Sequence, residues 1–145
     1  MEDIGFYFKK INDLMVTRVN AQMKKNGLTF SQVELLMYLL DKNGEPVSPK
    51  ELEQHFHLSH PTITGTLQRM ERKGLLRCEI NPTDRRSRRI ILLNKAYEMQ
   101  KDITDQKQKL DRGFAAHMEE GQLEQLRKLL IIVYDVLLQD TQKIN

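Results

Sequence analysis

Residues 59 to 74 read SHPTITGTLQRMERKG, a run of hydroxyls, amides and cations laid over a helical repeat. Ile63, Leu67 and Met70 recur at steps of four and three, the spacing of one buried helix face. On a 100° wheel the opposite face carries Pro61, Gly65, Gln68 and Arg72, with Arg69 at its margin. Such groups suit recognition of a nucleic acid. Glutamine can hydrogen-bond adenine or bridge through water, and arginine reaches guanine or phosphate. Ser59, His60 and Thr62 stand at the helix start, where free N–H groups and the positive end of the dipole favour a phosphate. Thr64 lies at the edge of the outward face. Pro61 is tolerated in the first turn, where its missing N–H has no partner to lose. Gly65 is costly, by roughly 1 kcal/mol relative to alanine in an exposed helix. A bare position there lets the backbone approach base edges or the sugar–phosphate wall closely, which offsets that cost.

A second set of cations follows. In NPTDRRSR a Pro-Asp turn carries Arg85, Arg86 and Arg88, and an arginine at a hairpin tip can enter a narrow minor groove. Asp84 would repel DNA alone, so it is read as a support that braces the turn or orients an arginine. Arg89 begins the return strand and reads as structural. Across residues 69 to 89 eight Lys or Arg face three Asp or Glu, a net +5, whereas the whole chain is only +3 and the remaining 124 residues therefore carry −2. One short stretch holds all the excess positive charge, as binding to a polyanion requires.

Other chemistries are poorly served. HFHLSH places His55, His57 and His60 close together, but no nearby cysteine completes a ligand set, and Glu53 reads as a solvated helix residue. No metal and no cofactor are expected. Cys78 falls on an inward-facing set with Leu76 and Ile80 and reads as a small buried hydrophobe. There is no glycine-rich phosphate loop, no G-x-S-x-G elbow and no H-E-x-x-H, so no catalytic residues are assigned.

The elements that position these groups are mostly helical. The 145 residues, 30% charged and 39% apolar, describe one globular domain. The longest apolar run, LLIIVY at 129 to 134, is far short of the roughly 20 residues of a membrane span. A cytosolic protein is expected, and the single cysteine agrees with a reducing compartment. Residues 3 to 25 form an amphipathic helix along Ile4, Phe8, Ile11, Met15, Val19 and Met23, capped by Gly27. Thr29 with Gln32 opens a second helix by a capping box, and this helix ends near Asn43-Gly44. Ser48, Pro49 and Glu51 open a third in the same way, Glu51 returning the capping bond. After HLSH comes the helix of residues 60 to 72, which completes a helix-turn-helix. LLRCEI and RIILL then form a two-stranded hairpin, a wing. From Asn94 a long helix carries Ala96, Met99, Ile103, Leu110 and Phe114 on one stripe. A last helix holds Leu126, Leu130, Val133 and Leu137 with apolar residues around much of its circumference. A terminal helix apolar on several sides needs more partners than one small domain supplies, so a homodimer through both chain ends is expected, with Ile4, Phe8 and Ile11 contributing.

Taken together, SHPTITGTLQRMERKGLLRCEINPTDRRSRRIILL resembles the recognition helix and wing of the MarR family of bacterial transcription regulators. The matching features are the Ser/Thr-rich helix start, the L-x-R-M-E-R-K-G-L-L exit, and an aspartate two residues before an arginine, here Asp84 and Arg86. LLNKAYEM departs from the family's usual leucine-threonine pair and glycine. The resemblance implies a mainly α winged helix-turn-helix with a small β-hairpin, 28–94 binding DNA and 1–27 with 95–145 forming a helical dimerisation region of a single 1–145 domain. It implies a homodimeric repressor on an inverted-repeat, double-stranded operator, released by a small aromatic or amphipathic effector. It further implies an effector cleft, for which Phe6, Met15, Met37, Tyr38 and Tyr97 are the candidate lining. The alternative is a winged-helix protein-interaction module without specific DNA binding.

Overall fold

Side-chain caps set where the helices begin. In the computed structural model, which describes residues 1–144, Asp3 accepts the N–H of Phe6 at 2.9 Å and opens α1 (Ile4–Gln22). A short 3₁₀ turn at Lys24–Asn26 closes on Gly27, whose φ of 72° is the left-handed cap that favours glycine. Thr29 and Gln32 form the expected reciprocal capping box at the start of α2 (Phe30–Asp41), each side chain taking the other's backbone N–H at 3.4 and 3.2 Å. Asn43 and Gly44, both at positive φ, turn the chain after it. Ser48 caps α3 (Pro49–Phe56) by accepting the Glu51 N–H at 3.1 Å. The Glu51 carboxylate, expected to return that bond, instead accepts the Tyr38 hydroxyl and pairs with Lys42 at 3.6 Å. A phenol from α2 and an ammonium from the residue just after it outcompete the local N–H. Ser59 caps α4 (His60–Arg72).

β1 (Leu76–Ile80) and β2 (Arg88–Leu92) pair antiparallel, from Leu76 against Leu92 to Ile80 against Arg88. A bridge between Val47 and Ile90, with the Ile90 N–H donating to the Val47 carbonyl at 2.8 Å, extends this small sheet toward the loop before α3. α5 (Asn94–Ala115) and α6 (Gln122–Ile144) complete the chain. The architecture is that of a winged helix-turn-helix: mainly helical, with one hairpin.

The chain divides into two compact units, Met1–Ile103 and the residues from Thr104 onward. The first holds the core. Leu36 of α2, Leu52 of α3, Ile63 and Met70 of α4, and Leu75 and Leu76 at the entry to β1 are fully buried together, and Met23, Ala96 and Ile103 join the same cluster. Each such aliphatic side chain contributes about 1.5–3 kcal/mol by leaving water. Ile80, expected to point inward with Leu76 and Cys78, is instead 61% exposed, because its strand has run past the core by the time it reaches the wing. The described residues of α6 include none that is buried within the chain, and α1 has none either.

Candidate nucleic-acid interface

The buried face of α4 decides what its outer face offers. With Ile63, Thr66, Leu67 and Met70 buried, His60, Pro61, Thr62, Gln68, Arg69 and Arg72 are exposed, and Thr64 and Gly65 are half-exposed beside them. A Cβ at Gly65 would meet nothing closer than the Arg69 guanidinium at 3.4 Å, the movable end of a long side chain. The space over Gly65 is therefore open toward the outside of the helix.

Several of these groups already have partners. Ser59 accepts the Thr62 N–H at 3.3 Å, and the two hydroxyls lie 2.9 Å apart, so both take part in the cap. Thr66 donates to the Thr62 carbonyl at 3.0 Å and accepts from Arg69 at 3.3 Å, drawing that guanidinium along the helix. His60 Nδ1 lies 3.1 Å from Glu53 Oε2 across the helix-turn-helix connection. Glu53 is thus no solvated bystander: its carboxylate holds the ring of His60, the first residue of α4, from α3. Nothing local signals that contact, since the two residues lie on different helices and meet only after the turn forms.

The wing is built around Asp84. Its carboxylate accepts the Arg86 backbone N–H at 3.1 Å and faces Arg86 Nε at 3.4 Å, while its carbonyl accepts the N–H and hydroxyl of Ser87 at 3.0 and 3.1 Å. Asn81 secures the other side by accepting the Thr83 N–H at 3.0 Å. The tip so braced holds out Arg86 with 95% of its side chain exposed. Arg85 and Arg88 are also exposed. Arg89 donates to Glu79 at 2.7 Å in a cross-strand pair, and Arg77 reaches the same carboxylate at 3.3 Å. These two arginines, Arg89 foremost, hold the Glu79 carboxyl below its ordinary range.

Lys73, just past α4, carries a different role. Its ammonium donates to the Gly27 carbonyl and to Gln32 Oε1, the latter at 2.6 Å, tying the end of α4 to the junction of α1 and α2. Burial, with the Arg69 and Lys95 cations nearby, pushes its pKa down. The partners are 46 and 41 residues away, beyond any local pattern. Burial likewise pushes the Cys78 thiol up, with Glu71 adding to it against Arg88, which disfavours the reactive thiolate.

The five residues considered for an effector cleft are spread out. Tyr38 packs against both His55 and Phe56, with ring centroids at 4.3 and 5.8 Å, and lines a hollow with Glu34 and Lys42. Tyr97 lines a different one with Leu39 and Ile90. Phe6 is exposed on α1 against the Tyr7 ring edge, and Met37 packs on the core. Met15 is half-buried on α1. His55 is engaged with Tyr38, His60 with Glu53, and among the described residues no group of three or more His, Cys, Asp or Glu is placed to hold a metal ion. No helix among the described residues is long and apolar enough to cross a membrane.

Residues 26–87 match the profile of the MarR family. The fold is similar to that of MepR from Staphylococcus aureus in a complex with DNA, at a TM-score of 0.86 and 19% identity over 94% of this chain and 99% of that one. It is also similar to the transcription regulator MarR from Oenococcus oeni, at 0.77 and 27% identity over 92% and 99%. A MarR transcriptional regulator from Methanosarcina mazei aligns at 0.82 and 18% identity over 94% and 96%. No curated protein sequence matches this chain.

Proposed function

We propose that this chain, which carries a winged helix of the MarR family over residues 26–87, is a cytoplasmic transcriptional repressor that binds a pseudo-palindromic DNA operator as a homodimer. One observation carries the reading. The cations of residues 69–89 fall into two groups by their partners. Arg77 and Arg89 share Glu79, and Lys73 is spent on Gly27 and Gln32, so these serve the fold. Arg72, Arg85 and Arg88 make no ion pair among the described residues, Arg69 bonds only the neutral Thr66, and Arg86 meets only the Asp84 that shapes its turn. The positive charge left over lies on the outward face of α4 and on the wing.

In this reading residues 60–72 enter a major groove, with Gln68 and the open backbone at Gly65 nearest the bases, and Arg86 enters the flanking minor groove. The activity is binding, not catalysis. A two-fold dimer places half-sites about one helical turn, roughly 10 bp, apart. Release by a small aromatic or amphipathic effector belongs to the same proposal. Selection of genome fragments with purified protein tests it, followed by titration of the enriched duplex and its scrambled version at fixed salt. A preference of about a thousandfold for the enriched duplex is expected. Equal binding of the two would leave the basic stretch a non-specific electrostatic surface.

A further inference from the structure

Beside the outward face of α4 lies an open groove of about 550 Å³ whose far wall is the start of α2. Arg69, Arg72 and Lys73 line it, and no carboxylate does. Most of the other polar groups there are already satisfied. Thr29 and Gln32 hold each other in the capping box, Thr62 is engaged with Ser59, and Thr66 bonds the Thr62 carbonyl. Lys73 is clamped between Gly27 and Gln32 and so forms part of the wall. What remains is a set of unspent donors. The side chains of Ser31 and Arg72 make no hydrogen bond or ion pair among the described residues, and Arg69 uses only one of its five side-chain N–H groups. The pKa of Lys73 is pushed down first by burial and then by the Arg69 cation across the groove and by Lys95 outside it.

We propose that this groove seats a phosphate of the DNA backbone, with Ser31, Arg69 and Arg72 as donors, which makes Ser31 of α2 a DNA-positioning residue. The inference rests on the DNA-binding reading above and deepens it. Two guanidiniums and a hydroxyl supply several donors to the oxygens of one tetrahedral group. The trough is open and roomier than a single oxyanion needs, as a phosphodiester with its flanking sugars requires. A backbone contact on this side fixes the depth and tilt of α4 without reading sequence. Arg69 and Arg72 are thereby assigned to phosphate rather than to guanine.

The experiment titrates the full chain, as wild type, Ser31→Glu and Arg72→Gln, against both the selected operator and its scrambled duplex over a range of salt. Glutamate at the second position of α2 is compatible with the helix dipole, and thermal melting checks that each variant folds. Ser31→Glu is expected to weaken both duplexes about tenfold. Arg72→Gln is expected to lower the slope of log K against log salt by about 0.9 on both, the loss of one phosphate contact, with the operator-to-scrambled ratio unchanged. Wild-type binding by Ser31→Glu, or a changed ratio in Arg72→Gln, overturns the assignment. Replacing chloride by inorganic phosphate at constant ionic strength separates the two sources of the group. No extra competition is expected, whereas competition in wild type that vanishes in Arg72→Gln would give the seat to a free phosphate ion instead. If wild type prefers neither duplex, the operator reading fails on its own, and the slopes on the scrambled duplex still decide about the groove.

Discussion

Arg86 ends the wing with 95% of its side chain in solvent and one carboxylate, Asp84, setting its direction. Its removal costs the fold nothing that is buried. Arg86→Ala is therefore expected to weaken operator binding by about tenfold or more at physiological salt, with an unchanged melting temperature. Unaltered affinity would remove the wing from the interface. Gly65 gives the complementary case. Because a Cβ there meets only the Arg69 guanidinium, Gly65→Leu is expected to keep or raise stability, by up to about 1 kcal/mol from helix propensity alone. The same variant should lose operator binding, since a bulky chain stands where the backbone must approach DNA. A variant that binds like wild type would sink the close-approach role of this glycine.

Among the elements, the caps were the most legible feature of the chain. Thr29 with Gln32, and Ser48 before Pro49, act within three residues, so their bonds survive whatever the rest of the fold does. Glu51 shows the limit. Its return bond to the third helix start was equally local in prospect, yet Tyr38 of α2 and Lys42 just after it lie close enough to take the carboxylate. Thr29→Ala is expected to cost about 1 kcal/mol in urea unfolding. Leu52→Ala, which empties a fully buried site between α3 and its neighbours, is expected to cost about 2–5 kcal/mol. A loss for Leu52→Ala no larger than that of the cap variant would mean that α3 contributes little to the core.

At the scale of the whole molecule, the notable feature is the exposed apolar surface among the described residues of α1 and of α6. Ile4 and Ile11 of α1 are 70% and 50% exposed, and in α6 Leu126, Leu130 and Leu137 are 37%, 43% and 58% exposed, with Ile131 and Ile132 beyond half. Phe8 and Val133 are half-buried. Apolar surface on this scale marks an interaction site. Sedimentation is expected to give twice the 17.1 kDa chain mass. Leu130→Asp with Leu137→Asp should yield monomers that bind a half-site weakly and lose the spacing preference. A monomeric wild type would end the dimer reading.

Periodicity, capping boxes, the Pro-Asp turn and the crowding of arginines between residues 69 and 89 were enough to read a winged helix-turn-helix, and the last of them is the ground for proposing a polyanion-binding face. Each of those signals acts within a turn of helix or a strand repeat, where chain geometry leaves few alternatives. The partners of individual side chains were decided elsewhere. Glu53 on His60, Lys73 on Gly27 and Gln32, Glu51 on Tyr38, and the groove that joins Ser31 to Arg72 all connect residues from different elements. So does the reversal at Ile80, which follows from where the core stops rather than from the alternation of its strand. Such contacts depend on which surfaces meet after the helices have packed, and a charge or hydroxyl goes to the best partner then within reach.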